Sequence, residues 1–179
     1  MNRICRYIRS LVPLCLALLF CGGVGPAGCG YRPTGVSEHL SGPTRDIAIP
    51  VVANNSYKPY IETRFTNNLI DEFAGRGFRV VPGGGASHSL QVTIVSYGSV
   101  PVAYNALDQV SIYRAVMTVE VVLRDTARGV VLWKKQMDWG EEYPASDDIA
   151  LQTNNEDTAI NEVEHRLAQQ IHQNMIQDF

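Results

Sequence analysis

The 179-residue sequence has no acidic residue before Glu38 and no cysteine after Cys29. Its 15 lysines and arginines are scattered, which excludes the dense basic surface that a nucleic-acid-binding protein requires. It lacks an apolar run long enough for a permanent membrane-spanning helix, which needs about 20 residues. What it does have is a hydrophobic fraction of 45% against a charged fraction of 18%, so the chain can form a core and is not disordered.

The missing acidic residues mark the start of the chain as an export signal. Arg3, Arg6 and Arg9 precede a ten-residue apolar run, Leu11 to Phe20, and small residues follow that run. This order of positive charge, apolar run and small residues is typical of a secretory signal. We therefore predict a lipoprotein signal peptide over residues 1–28 and export of the remainder.

The cysteines indicate how this signal is processed. Cys5, Cys15 and Cys21 lie inside it, so the exported chain keeps only Cys29 and has no internal disulfide. Ala27-Gly28-Cys29 resembles the lipobox of bacterial lipoproteins, in which the cysteine carries acyl chains such as palmitate. We predict Cys29 as the lipid attachment site, and these acyl chains as the membrane anchor.

The surroundings of Cys29 add further expectations. Pro26 stands where lipoboxes usually have leucine, and Gly30 stands where aspartate marks retention in the inner membrane, so glycine indicates the outer membrane. Residues 29–44 are rich in Gly, Pro, Ser and Thr without an apolar period, which predicts a flexible tether. Removing residues 1–28 with their three arginines leaves 151 residues and changes the net charge from −3 to −6.

Residues 45–179 predict a single α+β domain. Ile47, Ile49 and Val51 alternate as on a strand, and Pro50 favours an edge or a bulge in it. A helix follows, with Pro59 in its first turn, and a second helix ends the chain. Apolar residues recur every three or four positions in both; they are Ile61, Phe65, Leu69 and Phe73 in the first helix, and Ile160, Val163, Leu167, Ile171 and Met175 in the second.

Strands fill the region between the two helices. Phe78 to Val81 is a short strand, and three longer strands follow as an antiparallel meander with Asp125 to Gly129 as a hairpin turn. Thr153-x-x-Glu156 resembles a capping box at the start of the final helix. The predicted fold is a two-layer sandwich, with two helices packed on one face of a four- to five-stranded, mostly antiparallel sheet. Three sets of alternating residues would cover the core face: Leu90, Val92 and Ile94; Tyr113, Ala115, Met117, Val119, Val121 and Leu123; and Trp133, Met137 and Trp139.

Reactive side chains do not converge in this pattern. His165 and His172 lie opposite the apolar stripe of the final helix, which predicts two solvated histidines rather than metal ligands. The 83–85 glycines lack the Lys-Ser/Thr of a phosphate loop, and the 141–142 and 147–148 acidic pairs lack the ligand spacing of a calcium loop. We predict no enzyme: no catalytic residue, no metal site and no cofactor besides the acyl chains on Cys29.

Several segments of the chain point to one family; they are Cys29-Gly30-Tyr31, residues 47–51 with the 54–56 turn, residues 61–67, 113–119 and 129–133, and the final helix. Taken together, these segments resemble the LptE family of lipopolysaccharide (LPS) assembly lipoproteins. The resemblance implies an outer-membrane lipoprotein that plugs and helps assemble the LptD β-barrel and assists LPS insertion into the outer leaflet. It places the domain on the periplasmic side of the membrane or in the barrel lumen.

The resemblance does not carry over a set of LPS-binding residues. In the family, basic residues before the long strand and near the start of the final helix are associated with LPS, but here 103–109 and 150–155 contain no Lys or Arg. The alternative is another periplasmic envelope-assembly lipoprotein, CsgG-like, with a purely scaffolding role. A periplasmic enzyme would need a convergent polar pocket. The cations near these two regions that are available for contact with LPS are Lys58, Arg114, Arg128, Lys134 and Lys135.

Overall fold

The computed structural model describes residues 45–82 and 85–178. The predicted signal peptide, Cys29 and the predicted tether lie outside these residues, and so does part of the glycine loop. The elements in chain order are β1 (Asp46–Ala48), β2 (Ala53–Asn54), α1 (Ile61–Gly75), β3 (Arg79–Val80), β4 (His88–Tyr104), β5 (Val110–Asp125), β6 (Val131–Pro144) and α2 (Ile149–Gln177).

The strands of the described residues form one mixed sheet of six strands. Its order is β3-β1-β4-β5-β6, and β2 also lies beside β4. The long strands β4, β5 and β6 pair antiparallel, whereas the short strands β1, β2 and β3 make parallel pairings. The predicted α+β sandwich is confirmed, and the sheet has one strand more than predicted because the first predicted strand is split into β1 and β2.

The split surrounds Pro50 and changes which side chains enter the core. From Ala48 to Ala53 this segment advances five residues while its partner β4 advances four, so one residue is extra. An extra residue reverses the alternation of side chains between the faces of a sheet. Val52 is therefore 2% exposed and Val51 is 70% exposed. Val51 therefore does not continue the alternation predicted for Ile47, Ile49 and Val51, because the bulge beside Pro50 intervenes.

The core lies between the two helices and one face of the meander. In β5, every second residue from Ala115 to Leu123 is fully buried, as the alternation predicts. On the neighbouring edge strand, Trp133 and Met137 are buried, but Trp139 is 38% exposed. Both predicted helix stripes are confirmed, because every member is at most 3% exposed. Burying one such side chain contributes roughly 1.5–3 kcal/mol.

Helix α1 and the hairpin turn follow the glycine signals in the sequence. The helix begins at Ile61, so Pro59 precedes it and is not in its first turn. It ends at Gly75, and Gly77 has a φ of 85°, a left-handed conformation that redirects the chain toward β3. Gly129 has a φ of 69° in the turn between β5 and β6, as the predicted hairpin requires.

Helix α2 begins one turn earlier than predicted. The Asp148 side chain accepts hydrogen bonds from the backbone N–H groups of Ala150 at 2.8 Å and Leu151 at 3.1 Å, which makes Asp148 the N-cap. The predicted capping box at Thr153 is wrong. Its hydroxyl donates to the carbonyl of Ile149 at 2.9 Å inside the helix, because the cap upstream already serves the free N–H groups.

Candidate functional site at the loop end

One end of the sandwich gathers segments that are far apart in sequence. The two helices run in the same direction, since Lys58 before α1 contacts Glu156 near the start of α2, and Arg64 contacts Glu164 one to two turns further along. Tyr97 of β4 donates to Glu156 at 2.6 Å. We call this end, formed by the β4–β5 loop, the β6–α2 connection and the starts of both helices, the loop end.

The β4–β5 loop is held by the side chain of Asn105. Its Oδ1 accepts from the backbone N–H of Leu107 at 2.8 Å and of Gln109 at 3.1 Å. Its Nδ2 donates to Gln109 Oε1 at 3.2 Å, and Asp108 between them has a φ of 58°. These bonds form an Asx-type turn, which fixes the loop without help from a ligand. Leu107 projects outward and is 78% exposed.

The β6–α2 connection is held in a similar way. The backbone N–H of Ser146 donates to Gln152 Oε1 at 2.7 Å, and that of Ala145 donates to the carbonyl of Ser111 on β5 at 3.0 Å. Asn155 of α2 donates to the carbonyl of Pro144 at 3.1 Å. Both loops are therefore fixed to the sandwich by hydrogen bonds.

A cleft of about 520 Å³ lies between these two loops. Its lining contains amides, hydroxyls, one carboxylate and one aromatic ring, and among the described residues it has no lysine or arginine. The structure thus brings together the two sequence regions that the family resemblance pointed to, and it does so without a cation. The lining residues are Asn105, Gln109, Val110, Ser111, Tyr113, Ala145, Ser146, Asp147 and Gln152.

A second cleft of about 420 Å³ lies where the two helices start. Its two cations already have acidic partners, since Lys58 is 3.1 Å from Glu156 and Arg64 is 2.6 Å from Glu164. Tyr60 at its rim is 80% exposed and has a φ of 69°, with no side-chain hydrogen bond capping α1. The cleft therefore presents little unbalanced positive charge.

The five cations named from the sequence do not converge in space. Lys58 is at the loop end. Arg114 lies on the open face of the sheet, the face that the helices do not cover. It is beside Gly140 there, since a Cβ atom added to Gly140 would be 2.8 Å from the Arg114 Nε. The other three are held by partners elsewhere: Arg128 by Asp125 at 3.0 Å, Lys134 by Glu120 at 2.9 Å, and Lys135 by Asn174 at 2.7 Å.

One of the two predicted surface histidines is buried. His165 is exposed as predicted, but His172 is only 6% exposed and packs edge-on against Phe73 and Phe78, with ring centroids 5.4 Å and 5.9 Å away. The prediction is wrong for His172 because the end of α1 and the turn after it cover this part of α2. Burial lowers the pKa of its imidazole. Within residues 45–82 and 85–178, no group of three His, Cys, Asp or Glu side chains could hold a metal ion.

An ion pair between the helices, with a buried carboxylate, was missed from the sequence. Arg64 Nε lies 2.6 Å from Glu164 Oε2, the Glu164 side chain is fully buried, and Asn68 lies 3.4 Å from the same oxygen. Burial raises the pKa of Glu164 to about 7, although the hydrogen bond from Arg64 opposes this rise. The only signal in the sequence is that Glu164 adjoins Val163 and follows Ile160 by four residues, which places it beside the apolar stripe.

The sequence model of the LptE protein family, described as lipopolysaccharide-assembly, matches residues 44–175 of this chain, from just before β1 to the last turns of α2. The chain belongs to the LptE family. The family is one of non-catalytic LPS-assembly lipoproteins, so this LptE-family chain is an LPS-assembly lipoprotein of the cell envelope. No curated protein matches it in sequence. Neither helix of the described residues is both long and apolar enough to cross a membrane.

Solved structures of three bacterial proteins are similar to this LptE-family chain. Rare lipoprotein B from Shewanella oneidensis has 16% identity and a TM-score of 0.50, with coverage of 69% of this chain and 92% of that one. A minor lipoprotein from Acinetobacter baumannii has 12% identity and a TM-score of 0.52, with 75% and 94% covered. A protein from Caulobacter crescentus CB15, assigned as a lipoprotein, has 16% identity and a TM-score of 0.53, with coverage of 71% of this chain and 88% of that one. At these identities the likeness shows the fold alone.

Proposed function

We propose that this LptE-family chain is an outer-membrane lipoprotein that plugs and helps assemble an LptD-like β-barrel and assists LPS insertion into the outer leaflet. Residues 1–28 are removed, Cys29 is acylated, and residues 29–44 tether the domain. The observation that carries the proposal is the family match over the whole described fold. The surface of the domain supports it in two places.

The open face of the sheet suits the inside of a barrel. On neighbouring strands, Lys134 and Glu120 form an ion pair at 2.9 Å, and Arg114 is directly opposite Glu142. The lumens of large outer-membrane barrels are polar. Where charges are matched in this way, the face can approach such a wall without burying an unpaired charge, which would be costly.

After the first turn of α2, where Ile149 and Leu151 are exposed, the exposed side of the helix is polar but poor in charge. Amides and hydroxyls can exchange their hydrogen bonds to water for hydrogen bonds to a polar wall at little net cost. Charged side chains would lose more solvation on the same transfer. The exposed uncharged residues on this helix include Thr153, Asn154, Thr158, Asn161, Gln173 and Gln177.

The acyl chains on Cys29 would supply the membrane attachment. Each buried CH₂ group contributes about 0.8 kcal/mol, so several acyl chains hold far more strongly than one. The sixteen residues 29–44 span at most about 55 Å when fully extended, at roughly 3.3–3.6 Å per residue. This reach lets the domain enter a barrel while its anchor stays in the periplasmic leaflet.

Affinity purification of the tagged full-length protein from outer membranes tests the plug. We expect a β-barrel partner of the LptD kind to be recovered with it, and depletion of the protein to reduce surface LPS. Recovery without a barrel, together with normal LPS export on depletion, would contradict the proposal and favour a CsgG-like scaffolding lipoprotein.

Metabolic labelling with an acyl-chain analogue tests the anchor separately. Cys29→Ser should abolish the label and release the protein from the membrane fraction. Cys21→Ser is the matched control, because Cys21 lies in the segment that is removed and its loss should leave the label unchanged. Labelling that persists in Cys29→Ser would show that another residue is acylated.

A further inference from the structure

The end of the domain opposite the loop end presents arginine side chains to solvent. It comprises the start of β1, the end of α1, strand β3, the start of β4 and the turn between β5 and β6, and we call it the arginine end. The arginines exposed there are Arg45, Arg76, Arg79 and Arg128.

These four arginines share one surface. The Arg79 N–H donates to the Arg45 carbonyl at 2.9 Å. A Cβ atom added to Gly77, the residue after Arg76, would be 3.7 Å from Arg45 Nη1. Arg128 follows β5, which is separated from β3 by β1 and β4. Since neighbouring strands lie about 4.8 Å apart, the distance from β3 to β5 is on the order of 15 Å.

Three of these arginines have carboxylate partners that lie beneath them. The arginine side chains are 49–78% exposed, whereas those of their partners are only 10–12% exposed. Anything that approaches from solvent therefore meets the guanidinium groups first. The pairs are Arg76 with Glu72 at 2.9 Å, Arg79 with Asp46 at 2.6 Å and Arg128 with Asp125 at 3.0 Å.

Two apolar side chains lie beside this charge. Val130 and Val131 come directly after the turn that carries Arg128, and they are 49% and 46% exposed. Apolar area and attraction to anionic lipids together determine how strongly a protein surface binds in the headgroup region of a bilayer. The arginine end offers both.

The charge of the loop end is opposite in sign. Asp108, Asp147 and Asp148 are exposed there, and none of them forms an ion pair among the described residues. An anionic surface would repel the loop end and attract the arginine end, where guanidinium groups can bind phosphate. The domain can therefore approach an anionic membrane in one orientation, although the exported chain has a net charge of −6.

The connection to the tether indicates which surface the arginine end meets. Thr44 ends the predicted tether and is bonded to Arg45, so the chain enters the domain at the arginine end. The acyl chains on Cys29 would keep this end within about 55 Å of a bilayer, the full extension of the tether. A surface held so close encounters headgroups of that bilayer continually.

We infer that the arginine end docks on the anionic phospholipid headgroups of the leaflet that holds the protein's own acyl anchor. The inference rests on the proposed function only for the acylation of Cys29. The docked protein is the anchored form that has not yet joined its barrel, because a barrel wall would stand between the arginine end and the lipids. Docking turns the loop end away from the headgroups.

Co-sedimentation with lipid vesicles tests the docking. The protein is the exported chain, residues 29–179, with Cys29→Ser, so that no acyl chain contributes to binding. The vesicles are pure phosphatidylcholine, or equal parts of phosphatidylcholine and phosphatidylglycerol. At about 0.1 M salt we expect the anionic vesicles to bind at least about tenfold more tightly, and at about 1 M salt the preference should be lost through screening. Equal binding to both vesicles, or binding to neither, would overturn the inference.

A triple variant tests whether the arginine end is the surface that binds. It carries Arg45→Gln, Arg76→Gln and Arg128→Gln, and it keeps Arg79 because that side chain pairs with the buried Asp46. Near an anionic surface each cation contributes roughly fivefold in affinity, and less where a carboxylate partner is present. We therefore expect the triple variant to bind anionic vesicles about tenfold or more weakly.

The matched control removes three cations elsewhere and causes the same change in net charge. It carries Lys58→Gln at the loop end, Arg114→Gln on the open face and Arg166→Gln in the middle of α2. Its affinity for anionic vesicles should fall by less than about threefold, since charges far beyond the roughly 10 Å screening length contribute little. Equal losses in the two triple variants would show that net charge matters and that no particular surface docks.

A fluorescent probe tests the orientation. With Cys29→Ser the exported chain has no cysteine, so one added cysteine can carry an environment-sensitive dye. The dye on Val130→Cys should brighten on anionic vesicles, whereas the dye on Leu107→Cys, at the exposed tip of the loop end, should not. Brightening at Leu107→Cys alone would place the loop end on the membrane and contradict the docking.

The failure of this inference can be told from the failure of the proposed function. If Cys29 is acylated and the barrel is recovered but anionic vesicles are not bound, only the docking is wrong. If vesicles are bound through the arginine end but no barrel is recovered, the plug is wrong and the docking stands. If the arginine triple variant loses the barrel and keeps its affinity for vesicles, the arginine end contacts a protein and the docking is wrong. Thermal melts of every variant show whether a loss of binding is a loss of folding.

Discussion

The two faces of the β4–β5–β6 meander differ sharply although their residues alternate along the same strands. On the covered face, Val119, Val121 and Leu123 of β5 are fully buried under the helices. Their neighbours on the open face, such as Glu120 and Val122, are only partly buried. The comparison teaches that folding depends on one face, which leaves the other free for contact with a partner. Substitutions matched across the two faces can test it.

The largest effect is expected for two adjacent valines. Val121→Ala creates a cavity under the helices and should lower the free energy of unfolding by about 2–3 kcal/mol. Val122→Ala removes the same atoms from the open face and should cost less than about 1 kcal/mol. Urea denaturation of both variants measures the difference. Equal losses would show that the open face is packed against something in the folded protein.

An intermediate effect is expected for two glutamates in ion pairs. The fully buried Glu164 pairs with the partly exposed Arg64, and Glu120 pairs with Lys134 on the open face. The pKa of Glu164 is raised from 4.5 to about 7, so the folded state binds its proton more tightly than the unfolded state does. Its contribution to stability is therefore fully present below about pH 4.5 and is lost as the pH rises through about 7.

Glu164→Gln should remove this loss, because glutamine stays neutral. The variant should be about 1–2 kcal/mol more stable than wild type at pH 8 and close to it at pH 4.5. Glu120→Gln should change stability by less than about 0.5 kcal/mol at either pH, since exposed pairs contribute little. Urea denaturation between these pH values checks both. A flat difference between Glu164→Gln and wild type would mean that the buried carboxylate does not titrate in this range.

The smallest effect concerns the helix that covers the sheet. Asp148→Ala removes the N-cap of α2 and should cost about 1 kcal/mol. Thr153→Ala, at the capping box that the sequence suggested, should cost less than half as much, because its hydroxyl only donates to a carbonyl within the helix. Thermal melts rank the two. A larger loss of stability for Thr153→Ala than for Asp148→Ala would indicate that α2 begins near Thr153, as the sequence suggested.

The sequence predicted most of the fold because the relevant signals are local. The i, i+4 stripe from Ile61 to Phe73 and the alternation along β5 each need only a few neighbouring residues to be recognised. The errors arose where two segments compete or meet. Asp148, not Thr153, caps α2, and Val51 is exposed because of the bulge beside Pro50.

The candidate site was less predictable for the same reason. The cleft lies between the β4–β5 loop and the start of α2. Neither segment has a sequence motif that predicts contact with the other. Asn105 and Gln109 read as ordinary loop residues until the turn they form is seen. Only the absence of lysine and arginine from both segments was visible in advance, and it proved to be the chemical character of the cleft.

By itself, the sequence determined the two helix stripes, the three long strands, the acidic balance after residue 28 and the prediction of Cys29 as an anchor. Tertiary structure alone decided that Glu164 and His172 are buried and that two loops without lysine or arginine form one cleft. The physical reason is that periodicity is a property of neighbours in sequence, whereas burial and hydrogen bonding depend on neighbours in space. Arg64 and Glu164 become neighbours only when both helices pack on the same face of the sheet.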